Sequence, residues 1–357
     1  MKKIICLLLS MFMLVSAMTC FTGCNEEPKG EKEVVDMAGD TIVLPDKIEK
    51  VASTSNPCSN MLIALGEGDK LVASYKTIFE NPWFEKFYPN ASNLTVLDSY
   101  QPEAESLIAG GIDLIFVPTQ ERAAALREKG VCAVCIRFYT PEEIKQAVEL
   151  LGKIFGGDAK TRGDKWVSLM DDSIAAVAQK WESVADEEKP VAYEIIGDKY
   201  RGLFRTNYGM AQAWLQYGGG IIATKDFGDY STATPTEEEI LETNPDIIFI
   251  GGTYCSQLEK DLFADEKWAD ISAVKNNNVH IVPVGCCYWN DCSVEYPMMI
   301  YFVYSCIYPE QTDFSIKKMA HDFYLEYYGI DFSDEDMEKM INGLAPNGGA
   351  ICDQLTK

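Results

Sequence analysis

The sequence predicts an α/β protein of two Rossmann-like lobes with mostly parallel sheets, joined by one long rigid helix, with a ligand cleft between the lobes. Three observations predict it. Short apolar runs rich in β-branched residues (KVASTS, KLVASY, DLIFVP, VCAVCIRF) alternate with segments of helical period (SNMLIALG, ERAAALREKG, PEEIKQAVELLGKIFG), the order expected of βα units around a parallel sheet. A second series restarts near Val191 with VAYEII, GMAQAWLQYGG, DIIFIGG and VHIVPVG. Finally, PEAESLIAGGIDLIFVP at 102–118 matches PTEEEILETNPDIIFIG at 235–251, so that Pro102 meets Pro235, Glu105 meets Glu238, Asp113 meets Asp246 and Phe116 meets Phe249. One helix-strand unit is thus written twice, once for each lobe.

The N-terminus reads as an export signal. Lys2 and Lys3 precede IICLLLSMFMLVSAM, which is too short for a comfortable membrane span, and FTGC follows; together these describe a lipoprotein signal peptide over 1–23. Cys24 is then the lipidated first residue, and 24–33 a polar tether. Phe21 departs from the leucine usual three positions before that cysteine. Loss of 1–23 removes two lysines and no acid, taking the formal charge from −24 to −26. So acidic a chain, with 31 basic against 55 acidic residues, is a poor partner for nucleic acid and for anionic lipid, both of which need an excess of basic groups. Attachment to the membrane is expected through the lipid alone.

The first lobe is expected over 34–157 and the second over 188–312. Between them, 158–187 reads as a connecting helix, with Trp166, Met170, Ile174, Val177 and Trp181 at helical spacing and no proline before Pro190. Residues 313–357 read as two further helices, an addition packed on the second lobe.

Open α/β sheets bind ligands beyond the carboxyl ends of their strands, which nominates several segments. YKTIFENPWFEKFYPN offers Tyr75, Trp83, Phe84 and Tyr88, and RFYTP offers Arg137 and Tyr139. In the second half RGLFRTNYGM offers Arg201, Arg205 and Tyr208, GGTYCSQ offers Tyr254, and GCCYWNDC offers Tyr288 and Trp289. Aromatic faces suit a flat macrocycle or catecholate, and arginines suit its carboxylates.

Cys132 and Cys135 fall within one strand, where residues three apart face opposite ways, so a redox or zinc site is not expected there. Cys58, Cys255, Cys286 and Cys287 fall on cleft-side loops, with Cys292 close behind. They allow a disulfide within CCYWNDC, thiolates touching a soft metal in the ligand, or free thiols serving as small apolar residues. With only His280 and His321, a histidine-built site for a bare metal ion is not expected, whereas tyrosine-ligated haem stays open. No GxSxG, P-loop or strand-linked GxGxxG is present, and no enzyme activity is expected.

VVDMAGDTIVLPDKIEKVASTSNPCSNMLIALGEGDKLVASY resembles the opening of substrate-binding proteins that feed ABC importers of iron–siderophore complexes, haem and cobalamin, and the resemblance runs through about residue 310. It implies no intrinsic cofactor and an iron- or cobalt-containing chelate as ligand, a ferric siderophore first among them. It also implies a monomer whose partner is a permease dimer with its ATPase. In that family an exposed glutamate on each lobe docks on permease arginines, which gives Glu105 and Glu238 a role, with Glu103, Glu237 and Glu239 as neighbours able to share it. The rival readings are a ligand-sensing surface lipoprotein and a lipoprotein enzyme that processes a chelate.

Overall fold

A computed structural model describes residues 32–198, 202–207, 213–225, 232–233, 236–291 and 293–355. Cys24, Arg201, Tyr208, Pro235 and Cys292 lie outside the described residues, as do the signal segment and most of the tether. The chain opens with a hairpin of β1 (Glu33–Val35) and β2 (Thr41–Val43). Its turn is closed by the Asp36 carboxylate, which accepts from the amides of Ala38 and Asp40, while Gly39 takes φ +90°. Arg127 pairs with Asp36 and Asp40 and so fixes the hairpin to the first lobe.

The first lobe follows as β3 (Val51–Ser53), α1 (Asn56–Ala64), β4 (Leu71–Tyr75), α2 (Phe84–Phe87), β5 (Thr95–Leu97), α3 (Ala104–Ala109), β6 (Leu114–Val117), α4 (Gln120–Arg127), β7 (Ala133–Cys135) and α5 (Pro141–Phe155). Its five strands run parallel in the order β5-β4-β3-β6-β7. β3, β6 and β7 are buried along their whole length, as strands covered by helices on both faces must be. Side-chain caps start the helices: Ser55 for α1, Thr119 for α4 and Thr140 for α5, each satisfying an amide the helix leaves open.

α5 turns directly into α6 (Gly157–Trp181) through Gly156 and Gly157, both at positive φ. The two helices pack closely: a Cβ on Gly163 would lie 3.2 Å from Val148. α6 is 25 residues long, about 37 Å at 1.5 Å per residue. Its buried residues are Ala159, Gly163, Trp166, Met170, Ser173 and Val177, a stripe alternating steps of four and three. Ser173, rather than Ile174, holds the fifth of these positions.

The second lobe contains β8 (Val191–Ile196), β9 (Thr206–Asn207), α7 (Ala213–Tyr217), β10 (Ile221–Ile222), β11 (Thr232–Ala233), α8 (Glu237–Thr243), β12 (Ile247–Gly251), α9 (Cys255–Ala264), α10 (Ser272–Lys275), β13 (Val279–Ile281) and α11 (Tyr296–Ile307). Its main sheet is parallel in the order β10-β8-β12-β13. The repeated phrase forms α3-β6 in one lobe and α8-β12 in the other. Its two aspartates do the same work: Asp113 accepts from the amides of Glu49 and Lys50 at 2.8 Å, and Asp246 accepts from the amide of Val191 at 3.0 Å. Each ties its strand to the start of the neighbouring one.

Helices α12 (Ile316–Tyr328) and α13 (Asp334–Ile341) complete the chain. They do not rest on the second lobe alone, as the sequence led us to expect. α12 packs on α11 of the second lobe and on α1 of the first. Phe87 of α2 meets the rings of Tyr324, Tyr328 and Phe332 at 4.8–4.9 Å between centroids. The apolar stem of this segment needs cover on two sides and finds one in each lobe. Arg162 of α6 donates to carbonyls of Ala64, Glu326 and Tyr327, so α6 too is bonded to the first lobe and to the C-terminal helices. Among the described residues, no helix is long and apolar enough to cross a membrane.

Candidate functional site

The carboxyl ends of both sheets face a cleft of about 760 Å³. The first lobe contributes Tyr75 from the end of β4, then Lys76, Thr77, Phe79 and Glu80 from the 3-10 turn after it, and Tyr100 from the loop after β5. The second lobe contributes Asp198 after β8 and Thr253 and Tyr254 after β12, and Gln354 and Leu355 close one side. Both lobes and the C-terminal segment therefore build one wall each.

Tyr75 and Tyr100 stack with ring centroids 3.8 Å apart, and the Arg122 guanidinium lies over the Tyr100 ring at 5.3 Å. Burial, followed by the hydrogen bond with Tyr75, pushes the Tyr100 phenol up to about 12, so it remains a neutral hydroxyl. Arg122 sits in the first turn of α4, held there by the Thr119 cap. Among the described residues no carboxylate pairs with Arg122 or with exposed Lys76. Tyr139, which lines neither the cleft nor its inner recess, is 49% exposed. Burial raises its phenol and the Arg122 charge opposes that rise.

A narrower recess of about 170 Å³ extends from this cleft and shares Thr77, Glu80 and Thr253 with it. Asn56, Asn60 and Asn81 line it from the first lobe, and Cys286, Cys287, Tyr288 and Asp291 from the second. The lobes are bonded to one another here. The amide of Asn81 donates to the carbonyls of Gly285 and Cys286, each at 2.9 Å. The Cys286 thiol donates to Asn60 Oδ1 at 3.2 Å, while Asn60 Nδ2 donates to Cys287 Sγ at 2.5 Å.

The expected binding residues divide. Tyr75, Tyr254 and Tyr288 line the cavities. Trp83, Phe84, Tyr88 and Trp289 do not, and that expectation is corrected: all four are buried in the core. Trp83 Nε1 donates to the carbonyl of Leu344, Trp289 Nε1 to Tyr324 Oη, and Tyr88 Oη to the carbonyl of Gly68. Helix α2 turns its aromatic face inward against the C-terminal helices, a partner that cannot be read from its own segment. Arg137 is ion-paired to Glu143 at 3.0 Å and donates to the Met37 carbonyl. Arg205 is ion-paired to Asp198 at 2.6 Å. Neither arginine stands uncompensated, unlike Arg122.

Nor do the cysteines form a ligand set. Cys58, Cys255, Cys286 and Cys287 are free and buried, and burial pushes their thiols up, Cys255 to about 11. Cys58 and Cys286 are inside the large core that runs through both lobes, and Cys255 is inside a separate core of the second lobe. Among the described residues no cluster of three or more His, Cys, Asp or Glu is able to hold a metal ion. His280 bonds Asn278 and His321 bonds Asp331.

A helix that turns back into a parallel strand has its N-terminus at that strand's carboxyl end. α3 and α8 therefore present their first turns on the cleft side of each lobe. Glu105 and Glu238 lie in those turns, exposed. The neighbours of Glu238 are engaged: Glu237 pairs with Lys267 at 2.6 Å, and Glu239 closes a capping box with Thr236. Among the described residues Glu238 has no such partner, the uncommitted carboxylate of the three.

Sequence reading missed Tyr100 and Arg122, and it placed the segment of Lys76 and Asn81 at the cleft without singling those two residues out. The three-residue strand β5 before Tyr100 was too short to register as a strand, and Arg122 reads as an ordinary helix residue until its turn is seen to abut Tyr100. Position after a strand end was the signal available for both.

The family described as Periplasmic binding protein matches residues 51–283. No curated protein matches the chain significantly. Among solved structures, the chain is similar to a periplasmic solute binding protein of Veillonella parvula, at 24% identity over 88% of this chain and 98% of that one, with a TM-score of 0.73. It is similar to the molybdate-bound molybdate periplasmic binding protein MolA of Haemophilus influenzae, at 17% identity over 85% and 99%, TM-score 0.74. CeuE of Helicobacter pylori, as its Ni-His complex, aligns at 19% identity over 87% and 99%, TM-score 0.70.

Proposed function

We propose, from the premise that this chain belongs to the periplasmic binding protein family, that the solute it captures for its ABC importer is an anionic metal chelate. A ferric siderophore is the first choice, with haem and cobalamin next. The observation that carries the reading is the outer cleft: Tyr75 and Tyr100 stack in its wall with Lys76 beside them, and behind the wall the Arg122 guanidinium lies over the Tyr100 ring with no carboxylate paired to it among the described residues. A chelate's ligand rings supply flat apolar area for the tyrosines. Its negative oxygens supply the counter-charge that Arg122 and Lys76 lack. At about 760 Å³ the cleft falls within the range of small-molecule sites.

Membership of the family places the protein on the extracytoplasmic side. The FTGC sequence supports a lipid on Cys24 as its anchor. Exposure, and the lack of a partner among the described residues, support Glu105 and Glu238 as the contacts to the permease dimer.

Isothermal titration of the purified protein with ferric catecholates, ferric hydroxamates, haem and cobalamin tests the cargo. Saturable binding of one chelate at micromolar concentration or below, with metal-free inorganic anions inert, supports it. Silence to every chelate, or equal response to a bare oxyanion such as molybdate, refutes it.

A further inference from the structure

One wall of the cleft is made by Gln354 and Leu355, at the end of the described chain and well beyond the stretch 51–283 that carries the family match. The strap that leads to them is pinned along its length. Leu344 bridges Ala350, the amide of Ala345 donates to the carbonyl of Gly349 at 2.9 Å, and Gly348 takes φ +83° in the turn between. Trp83 of the first lobe donates to the carbonyl of Leu344 at 2.8 Å, and Lys339 of α13 to that of Pro346 at 3.0 Å. The 3-10 turn Ile351–Gln354 then buries Ile351 completely and packs on α9 of the second lobe. The strap is fastened to both lobes, so its last side chains hold a set place at the cleft.

The side-chain amides of the strap are oriented one by the next. The backbone N–H of Gly349 donates to Asn347 Oδ1 at 2.9 Å. A backbone donor can meet only the oxygen of a carboxamide, so Asn347 cannot be turned over. Its Nδ2 accordingly faces Gln354, and it donates to Gln354 Oε1 at 3.0 Å. That bond fixes the Gln354 amide in turn, with its oxygen spent on the strap and its Nε2 left over. Among the described residues no acceptor takes the Nε2 hydrogens, which leaves them to water or to a solute.

We infer that the C-terminal strap is a solute-recognition element and that Gln354 is its recognition residue, donating through Nε2 to an anionic oxygen of the solute. Lys76 lines the same cavity and supplies charge on a flexible stem, which attracts an anion without fixing where its oxygens lie. Gln354 supplies the complement, a neutral donor whose direction is set before the solute arrives, and such preorganisation favours one geometry over others. The inference rests on this cleft being the solute site and not on which metal the solute carries.

The test titrates the purified protein with a ferric tris-catecholate and with haem, and follows urea midpoints beside the affinities. Gln354→Leu removes the donor without adding charge and is expected to weaken the bound chelate about tenfold, the usual cost of a lost hydrogen bond to a charged group. Gln354→Glu still accepts from Asn347 but puts a negative oxygen where Nε2 stood, and should weaken it further. Asn347→Asp is the orientation test. An aspartate can accept but not donate, so the Gln354 amide must turn over and present its oxygen to the cleft. This variant should also lose about tenfold while its urea midpoint stays unchanged, and it should add little in the Gln354→Leu background. Affinities equal to wild type in Gln354→Leu and Gln354→Glu overturn the inference and leave the chelate reading standing. An Asn347→Asp effect undiminished in the Gln354→Leu background also overturns it, since orientation would not be what Asn347 provides. Wild-type silence to both probes refutes the chelate reading, and the inference falls with it.

Discussion

Asn81 of the first lobe donates its side-chain amide to the main-chain carbonyl of Gly285 in the second, at 2.9 Å, and the same nitrogen reaches the carbonyl of Cys286. The side chain is 8% exposed, so water is a poor substitute. A second polar bond joins the lobes at Asn60 and Cys287, and a third runs from Trp166 Nε1 on the connecting helix to the carbonyl of Val294 at 2.9 Å. The joint between the lobes is a seam of satisfied buried polar groups, and such networks favour one arrangement over its neighbours.

Asn81→Ala strips two carbonyls of their donor. The expected loss is about 2 kcal/mol of unfolding free energy, the usual penalty for buried polar groups left unpaired, read from urea denaturation. Scattering curves of the empty and loaded wild-type protein should nearly superpose. A large decrease in radius of gyration on loading would show that the seam opens.

Arg122→Ala should weaken the binding of an anionic chelate by roughly ten- to a hundredfold, since a charge-assisted contact is worth about 1.5–3 kcal/mol. Arg137→Ala, which removes a group already paired with Glu143, should cost far less. Titration calorimetry separates the two, and a larger effect at Arg137 would move the anion site towards the β1–β2 hairpin.

The docking reading makes a selective prediction. Glu105→Ala combined with Glu238→Ala should abolish uptake in cells while leaving solute affinity in vitro unchanged. Glu237→Ala and Glu239→Ala, whose carboxylates serve Lys267 and the Thr236 cap, should lower helix stability slightly and leave transport intact. Normal uptake by the double variant would remove Glu105 and Glu238 from the permease contact.

Glu295 gives the fold a pH dependence with a definite sign. It is fully buried, and burial raises its carboxyl to about 7 despite hydrogen bonds from the amide of Cys287 and the hydroxyl of Ser293. The native state therefore holds this proton to higher pH than the unfolded state does, and between about pH 4.5 and 7 the unfolded chain binds fewer protons. Stability must fall as pH rises through that window, by up to roughly 3 kcal/mol for a shift of this size. Urea midpoints at pH 5 and pH 8 should differ accordingly, and Glu295→Gln should flatten the difference. A midpoint higher at pH 8 would contradict the assignment.

Much of the scaffold was legible because it is periodic. The paired phrase at 102–118 and 235–251 announced two equivalent units, and Asp113 and Asp246 hold equivalent strand junctions. The connecting helix was visible in the spacing of Trp166, Met170 and Val177. The cleft was read less well, for a physical reason. Trp83 follows a strand end, as binding residues do, yet what covers it is Phe332 and Leu344, some 250 positions later. Contacts at that sequence separation leave no local pattern. Arg122 was overlooked in the converse way: its helix is ordinary, and its meaning comes from Tyr100 on a different loop.

The long helix α6, bonded through Arg162 to Ala64 of the first lobe and through Trp166 to Val294 of the second, has a consequence for traffic at the importer. If the docking reading holds and the lobes keep their spacing, so do Glu105 and Glu238, and the empty protein offers the permease the same footprint as the loaded one. Empty copies then compete with full ones for the same landing sites. Flux is set by the loaded fraction rather than by the number of receptors, and overproducing the protein in scarce solute should slow uptake instead of speeding it.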